Sequence, residues 1–367
     1  MTTHNHAMHI VKPVTATHST SEKDKLIGKP RFHFEPKQVM QLLHDRIIGQ
    51  DAALQEIEKM LHVVKADFSS PERPLSVTLM LGPTGVGKTE TVRLISEAIY
   101  GRSDAFCRID MNTLAQEHYA AAITGAPPGY VGSKEGHSLF DETAIAGSHT
   151  RPGIVLFDEL EKASIEVIRS LMNVLDTGKL TLTSGTKTID FRNCMIFMTS
   201  NVGAKDAQNR LKRISKLPKP LQNLVKQLKL DDSEITAKAL DKKFDPEFLN
   251  RIERILHYQA VESDFAHTLV QLEIDKLNLR LKKQSRSIQL TDTAIQFLSS
   301  GHDVRFGARG LNRRFKVLIE PSLAKSFLKN KHASQFIIDY DKTGLKVEVI
   351  EPELLDPLLI HEASQQH

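Results

Sequence analysis

The chain has 367 residues, 40% hydrophobic and 26% charged, with a formal net charge of +4. That length accommodates two domains and a large core, and so small a basic excess gives no argument for nucleic acid or a membrane surface as a partner. No run approaches the ~20 apolar residues of a membrane span, and the amino terminus carries neither an apolar export core nor an Arg-rich amphipathic pattern. The two cysteines, Cys107 and Cys194, each sit beside an apolar, β-prone run. Buried free thiols in a reducing compartment fit that placement, so a cytoplasmic protein is expected.

Residues 1–35 are polar and contain His4, His6, His9, His18 and His33. With no carboxylate or cysteine framework around these histidines, a disordered leader is expected in place of a metal site. Lys37–His44 and Ala52–Lys65 carry helical patterns, separated by a short loop, Asp45–Asp51, with apolar Ile47 and Ile48. After a turn-rich connector at 68–74, Val77–Leu81 is a short apolar strand. It runs straight into Gly82–Pro83–Thr84–Gly85–Val86–Gly87–Lys88–Thr89, which fills every position of G-x-x-x-x-G-K-[ST]. Glycines let successive backbone N–H groups turn inward around phosphate oxygens, and the helix that follows adds its positive end. Lys88 then reaches the β/γ-phosphates and the Thr89 hydroxyl is placed to ligate Mg²⁺. The strand–loop–helix context sets this apart from a chance glycine-rich turn.

A second strand is expected at Ala105–Ile109, ending in Asp110. The stretch Gly125–Gly136 holds two prolines and four glycines around Tyr130 and cannot form a regular element. Composition leaves two readings of Tyr130 open: it folds back on the surface, or it stands out and grips something. Gly153–Asp158 is a near-continuous apolar run ending in Asp158 and Glu159, the pattern of a parallel strand buried on both faces. Ligands of such sheets gather at the carboxyl ends of strands, which places Asp158 for Mg²⁺ and Glu159 for polarising an attacking water. Ser164–Asp176 is expected as a helix, and Lys187–Phe191 and Cys194–Met198 as strands, the second delivering Asn201 to the same sheet edge. The Lys-rich segment 204–243 mixes its charges with Leu and Ile, which suits exposed helices better than a nucleic-acid surface. Phe244–Ile252 opens another helical stretch. Beyond it, Ser263–Lys283 and Thr291–Ser299 are amphipathic helices, Gly301–Arg309 is a loop feeding a long helix to about Lys329, and Phe336–Tyr340 with Leu345–Ile350 form a hairpin.

The order of these motifs narrows the field. Ile47–Ile48–Gly49–Gln50, the P-loop, Gly129–Tyr130–Val131–Gly132, Leu156–Phe157–Asp158–Glu159, Thr199–Ser200–Asn201, Asn250–Arg251 and Gly307–Ala308–Arg309 follow one another as in AAA+ ATPases of the Clp family. From about residue 38 to 350 the chain resembles the second ATPase domain of ClpB, ClpA and ClpV. The resemblance implies an α/β P-loop NTPase with a parallel central sheet at 36–257 and a smaller, mostly helical lid domain with a carboxyl-terminal hairpin at 258–350. Residues 1–35 would be a leader and 351–367 a tail. It further implies ATP and Mg²⁺ as cofactors and a homo-hexameric ring with nucleotide between neighbours. On this reading Lys88, Glu159, Asn201 (sensor 1) and Arg251 (arginine finger) are catalytic, and Thr89 and Asp158 serve the metal. Ile47, Ile48, Gln50, Gly82, Pro83, Thr84, Gly85, Val86, Gly87, Lys88, Thr89 and Arg309 (sensor 2) hold the nucleotide. Tyr130, flanked by Gly129, Val131 and Gly132, becomes a central-pore aromatic that pushes on a threaded polypeptide client.

Departures from the family pattern bear on partners. Residues 1–35 are too few to supply the family's amino-terminal domain, first ATPase ring or coiled-coil middle domain, so cargo selection by those parts is not expected. Ser164 stands in place of the usual His, and Gly136–His137–Ser138 in place of Gly-Gly-Tyr. From Ala204 to Ser300 there is no glycine, so docking of a peptidase through an Ile-Gly-Leu/Phe loop is not expected. An ATP-driven protein unfoldase is therefore the expected function. The alternatives are a nucleic-acid AAA+ machine using the 205–229 lysines and a partner-specific regulatory ATPase without threading.

Overall fold

A computed structural model describes residues 30–115, 139–182, 188–204, 232–261, 263–300 and 307–350. Its centre is a five-stranded, all-parallel sheet in the order β2-β3-β6-β1-β7, formed by β1 (Ser76–Leu81), β2 (Cys107–Asp110), β3 (Gly153–Asp158), β6 (Cys194–Ser200) and β7 (Arg254–His257). The three central strands β1, β3 and β6 are buried along their whole length. Strand alternation sends their side chains to two separate cores. Val77, Leu79, Val155, Phe157, Ile196 and Met198 face the helix Ile165–Thr177, whereas Met80, Ile154, Leu156, Met195 and Phe197 face the helices Pro36–Arg46, Asp51–Lys65 and Lys88–Tyr100. Covering on both faces explains the near-continuous apolar runs in the sequence. A small antiparallel pair, β4 (Lys179–Thr181) and β5 (Thr188–Asp190), sits beyond the helix Ile165–Thr177.

The second unit has its own core. Strands β8 (Ser287–Leu290), β9 (Gln335–Asp341) and β10 (Gly344–Val349) make a mixed sheet in the order β10-β9-β8, packed with the helices Ala266–Leu281 and Asp292–Ser300. Phe297 stacks on Tyr340 with ring centroids 3.8 Å apart. The expected hairpin is β9–β10.

Several elements differ from expectation. β7 and β8, four residues each, are strands not among those expected from the sequence, and the helical stretch after Phe244 contracts to Pro246–Leu249. β2 begins at Cys107, not Ala105. The segment feeding the last long helix is not loop as far as Arg309: the helix starts at Gly307, so Arg309 lies in its first turn. That helix then widens into a π segment at Phe315–Ile319 before Glu320–Lys329. Pro321 supplies the reason, since it has no N–H for the i−4 carbonyl and its ring crowds that carbonyl. The Gly129–Gly132 loop with Tyr130, residues 1–29, the 205–231 segment and the 351–367 tail lie outside the described residues.

Candidate nucleotide site

The parallel sheet brings the ends of β1, β3 and β6 to one edge, and the second unit closes over it. Between them is a cleft of about 320 Å³, within the range of small-molecule sites. Thr84, Gly85, Val86, Gly87, Lys88 and Thr89 line it from the P-loop, Asp158, Glu159 and Asn201 from the sheet edge, and Arg309 from the second unit. Ile47 and Ile48 form part of its apolar wall with Val261, Leu269 and Leu272. The two isoleucines straddle the interface: Ile47 belongs to the core under the P-loop helix, and Ile48 packs against the core of the second unit.

Three expected nucleotide contacts sit behind the cleft, not on it. Gln50 is buried with both amide ends engaged, its Nε2 donating to the Gln259 carbonyl and its Oε1 accepting from the Gln259 N–H, each at 2.9 Å. It ties the isoleucine loop to the chain leaving β7. Gly82 and Pro83 present carbonyls to Lys88 from below the loop. Gly82 has φ +142°, and a Cβ there would lie 2.3 Å from the Tyr258 carbonyl oxygen, so the tight exit from β1 admits no side chain.

Lys88 is buried at the start of its helix. Its Nζ donates to the carbonyls of Gly82 (2.5 Å) and Pro83 (2.7 Å) and to Asn201 Oδ1 (2.9 Å). Burial pulls its pKa down from 10.5 to about 8, against the opposing influence of Glu161, Asp158 and Glu159 and reinforced by Arg309. Glu161 accepts from both Asn201 N and Asn201 Nδ2 at 3.3 Å, so lysine, amide and carboxylate form one chain.

Asp158 is 6% exposed. Its Oδ2 accepts from Arg108 Nε (3.0 Å) and Nη2 (2.6 Å), and its Oδ1 accepts a short hydrogen bond from the Thr199 hydroxyl. Glu159 follows in a left-handed conformation, φ +60° and ψ 50°, rare for a residue with a side chain. These donors suit a hard divalent cation: a hydroxyl at Thr89 and a carboxylate at Asp158 are oxygen-only, and Mg²⁺ takes one or two protein ligands with phosphate and water filling the rest. Among the described residues no cluster of three or more His, Cys, Asp or Glu could hold a metal without such help.

The second unit touches the P-loop itself. Ala308 N–H donates to the Gly85 carbonyl at 3.0 Å, and a Cβ on Gly307 would lie 2.6 Å from that same oxygen. Glu273, also buried at the cleft wall, binds Lys276 Nζ (3.1 Å) and Asn312 Nδ2 (2.6 Å). Arg251 is elsewhere. Its Nε meets Asp176 Oδ2 at 2.5 Å and its Nη2 meets Glu247 Oε1 at 3.1 Å, and it does not line its own cleft. Ser164, the departure after Glu-Lys-Ala, caps the helix Ile165–Thr177 by accepting from Val167 N–H. Sequence reasoning missed Arg108, Glu161 and Glu273 and gave Thr199 no role. The alternation of β2, with Cys107 and Ile109 buried and Arg108 and Asp110 exposed, is a signal that pointed to Arg108.

A P-loop following β1 of a parallel sheet, an acidic pair ending β3 two places away across β6, and a helical second unit closing the cleft define an AAA+ ATPase, a family whose members hydrolyse ATP. The family description "AAA domain (Cdc48 subfamily)" matches residues 73–255, and "C-terminal, D2-small domain, of ClpB protein" matches 262–338. The chain belongs to the Clp family of AAA+ ATPases. It is 47% identical over 302 residues to the ATP-dependent protease ATP-binding subunit-like protein AmiB of Pseudomonas aeruginosa, covering 82% of this chain and 81% of that one. It is 38% identical over 300 residues to the negative regulator of genetic competence ClpC/MecB of Bacillus subtilis and 39% over 290 to the chaperone protein ClpB of Oceanobacillus iheyensis. Those alignments cover 81% and 78% of this chain but 36% and 34% of the longer relatives. Among the described residues no helix is long and apolar enough to cross a membrane.

Proposed function

We propose that the chain is an ATP-hydrolysing, ring-forming protein unfoldase that drives a polypeptide through a central pore. The cleft carries this reading: one cavity is lined by the P-loop, by Asp158, Glu159 and Asn201, and by Arg309 from the second unit. The proposed domain boundary falls after β7, giving 36–257 and 258–350 as the moving parts. Backbone N–H groups of Thr84–Gly87 and the Lys88 ammonium hold the phosphates. Thr89 and Asp158 would hold Mg²⁺, whose charge draws electron density from the β/γ-phosphate oxygens. Glu159 accepts a proton from a water oriented by Asn201; the water oxygen bonds to the γ-phosphorus as the bond to the β-phosphate oxygen breaks, and ADP and phosphate leave. Arg251, remote from its own cleft, suits a role in the cleft of the next subunit around a closed ring.

Hydrolysis changes what the P-loop holds, and the Ala308–Gly85 bond offers a path for that change into the second unit. Tyr130 would grip the client, without reading its sequence. The protease and chaperone names among the relatives point to polypeptide clients, and the glycine-free stretch 204–300 argues against peptidase docking by an Ile-Gly-Leu/Phe loop.

Phosphate release is the first test, measured alone and with unfolded casein or single-stranded DNA. Stimulation by casein only, loss of turnover in Glu159→Gln with ATP retained, and an active but non-unfolding Tyr130→Ala are the expected results. Stimulation by DNA only, or a Tyr130→Ala protein that unfolds a tagged substrate at full rate, would refute threading.

A further inference from the structure

We infer that Thr199 is a positioning residue for hydrolysis: its hydroxyl holds Glu159 in the conformation from which that carboxylate can act. The inference rests on the ATPase reading above. The parallel ladder between β3 and β6 pairs Gly153 with Cys194 and continues to Phe157 with Met198, where it ends. Thr199 stands one residue beyond that last pair and is 2% exposed. There its side chain replaces the missing ladder. The hydroxyl accepts the Glu159 N–H at 3.0 Å and donates its own proton to Asp158 Oδ1. One oxygen thus spans the acidic pair, fixing the backbone of one acid and the carboxylate of the other.

Glu159 needs such a hold. Its φ of +60° lies in the left-handed region, which disfavours a residue bearing a Cβ and persists only where surrounding structure imposes it. Two neighbouring carboxylates also repel, and Thr199 gives Asp158 a proton to accept at the point where Glu159 turns away. Arg108 takes the other oxygen of Asp158, so the carboxylate is fixed from both sides and Glu159 is left to face the cleft. Without the hydroxyl, the Glu159 N–H has no acceptor at the end of the sheet, and the left-handed turn has nothing to hold it. A displacement of about 1 Å at a catalytic group costs about a hundredfold in rate. ATP binding, which depends on the P-loop, should be spared.

The test compares Thr199→Val, which keeps shape and removes the hydroxyl, with Thr199→Ser, which keeps the hydroxyl. ATP turnover and the affinity for a fluorescent ATP analogue are measured on the full chain, together with Glu159→Gln and the Thr199→Val/Glu159→Gln double variant. Thr199→Val is expected to lower kcat by roughly 10- to 100-fold with nucleotide affinity within about twofold, a split that general destabilisation would not give. Thr199→Ser should recover most of the rate. The double variant should lose far less on top of Glu159→Gln than Thr199→Val loses in the wild-type background, because the hydroxyl's hold on Glu159 then serves no catalytic carboxylate. If Thr199→Val does not fold, Thr199→Ala against Thr199→Ser makes the same comparison, since they differ by the hydroxyl only. Undiminished turnover in Thr199→Val, a Ser variant as slow as Val, or additive losses in the double variant overturn the inference while leaving the ATPase reading standing. A Glu159→Gln variant as active as wild type overturns the inference, and a wild-type chain without turnover overturns the ATPase reading and the inference with it.

Discussion

Raising the pH above 8 should weaken ATP binding, and the cause should be Lys88. The ammonium has three acceptors for its three protons, at Gly82, Pro83 and Asn201, yet burial lowers its pKa from 10.5 to about 8. A polyphosphate beside Nζ favours the charged form, so the bound lysine has a higher pKa than the free one. Below about pH 8 the lysine is charged before and after binding, and affinity is flat in this respect. Above it, binding must take up a proton, and affinity falls by up to tenfold per pH step. At pH 9 the free lysine is charged in about one molecule in eleven, so affinity drops about tenfold, or about 1.4 kcal/mol; at pH 9.5 the drop is about thirtyfold.

The assay titrates wild-type protein with a fluorescent, non-hydrolysable ATP analogue at fixed Mg²⁺ from pH 7.5 to 9.5. That window lies above the terminal phosphate's own titration near pH 6. Calorimetry at pH 9 in two buffers of different ionisation enthalpy should show about 0.9 proton taken up per nucleotide. Lys88→Arg stays charged throughout, and its profile should be flat even where its affinity is poorer. A flat wild-type profile, or the same slope in Lys88→Arg, refutes the argument.

Gln50→Ala should cost about 2 kcal/mol of stability, the worth of two buried hydrogen bonds, seen as a lower urea midpoint; a loss under ~0.5 kcal/mol would show that the Gln259 bonds are dispensable. Gly307→Ala combines a φ of +50° with a Cβ 2.6 Å from the Gly85 oxygen, and should push the second unit off the P-loop. ATP affinity is expected to fall at least ~10-fold, and equilibrium binding unchanged from wild type would contradict that. Arg251→Ala should leave ATP affinity within about twofold while turnover falls by about 10³ or more. Phosphate release at wild-type rate would remove Arg251 from the chemistry.

Local sequence carried the fold class because the informative elements are contiguous. The P-loop is one uninterrupted run between a strand and a helix, and its glycines are demanded by local backbone geometry. The mostly apolar runs of β1, β3 and β6, short and bounded by turn residues, announced strands buried on both faces. β7 and β8 escaped because their strand state comes from pairing with β1 and β9, far away in sequence.

The candidate site divides along the same physical line. Lys88, Thr89, Asp158, Glu159 and Asn201 were legible because each sits at the carboxyl end of a strand or at the loop that follows it, and a parallel sheet gathers those ends by construction. What those side chains touch was not legible. Gln50 is bound to Gln259, 209 residues away, a partner that no local window of sequence contains. Arg108 reaches Asp158 because β2 lies beside β3, and Thr199 reaches both acids because β6 flanks β3 on the other side. Strand order is a long-range outcome of packing two helical layers on one sheet, and no short window of sequence contains it. The sequence alone determined which chemical groups this protein gathers at the cleft; the tertiary structure decided which neighbours hold those groups in place.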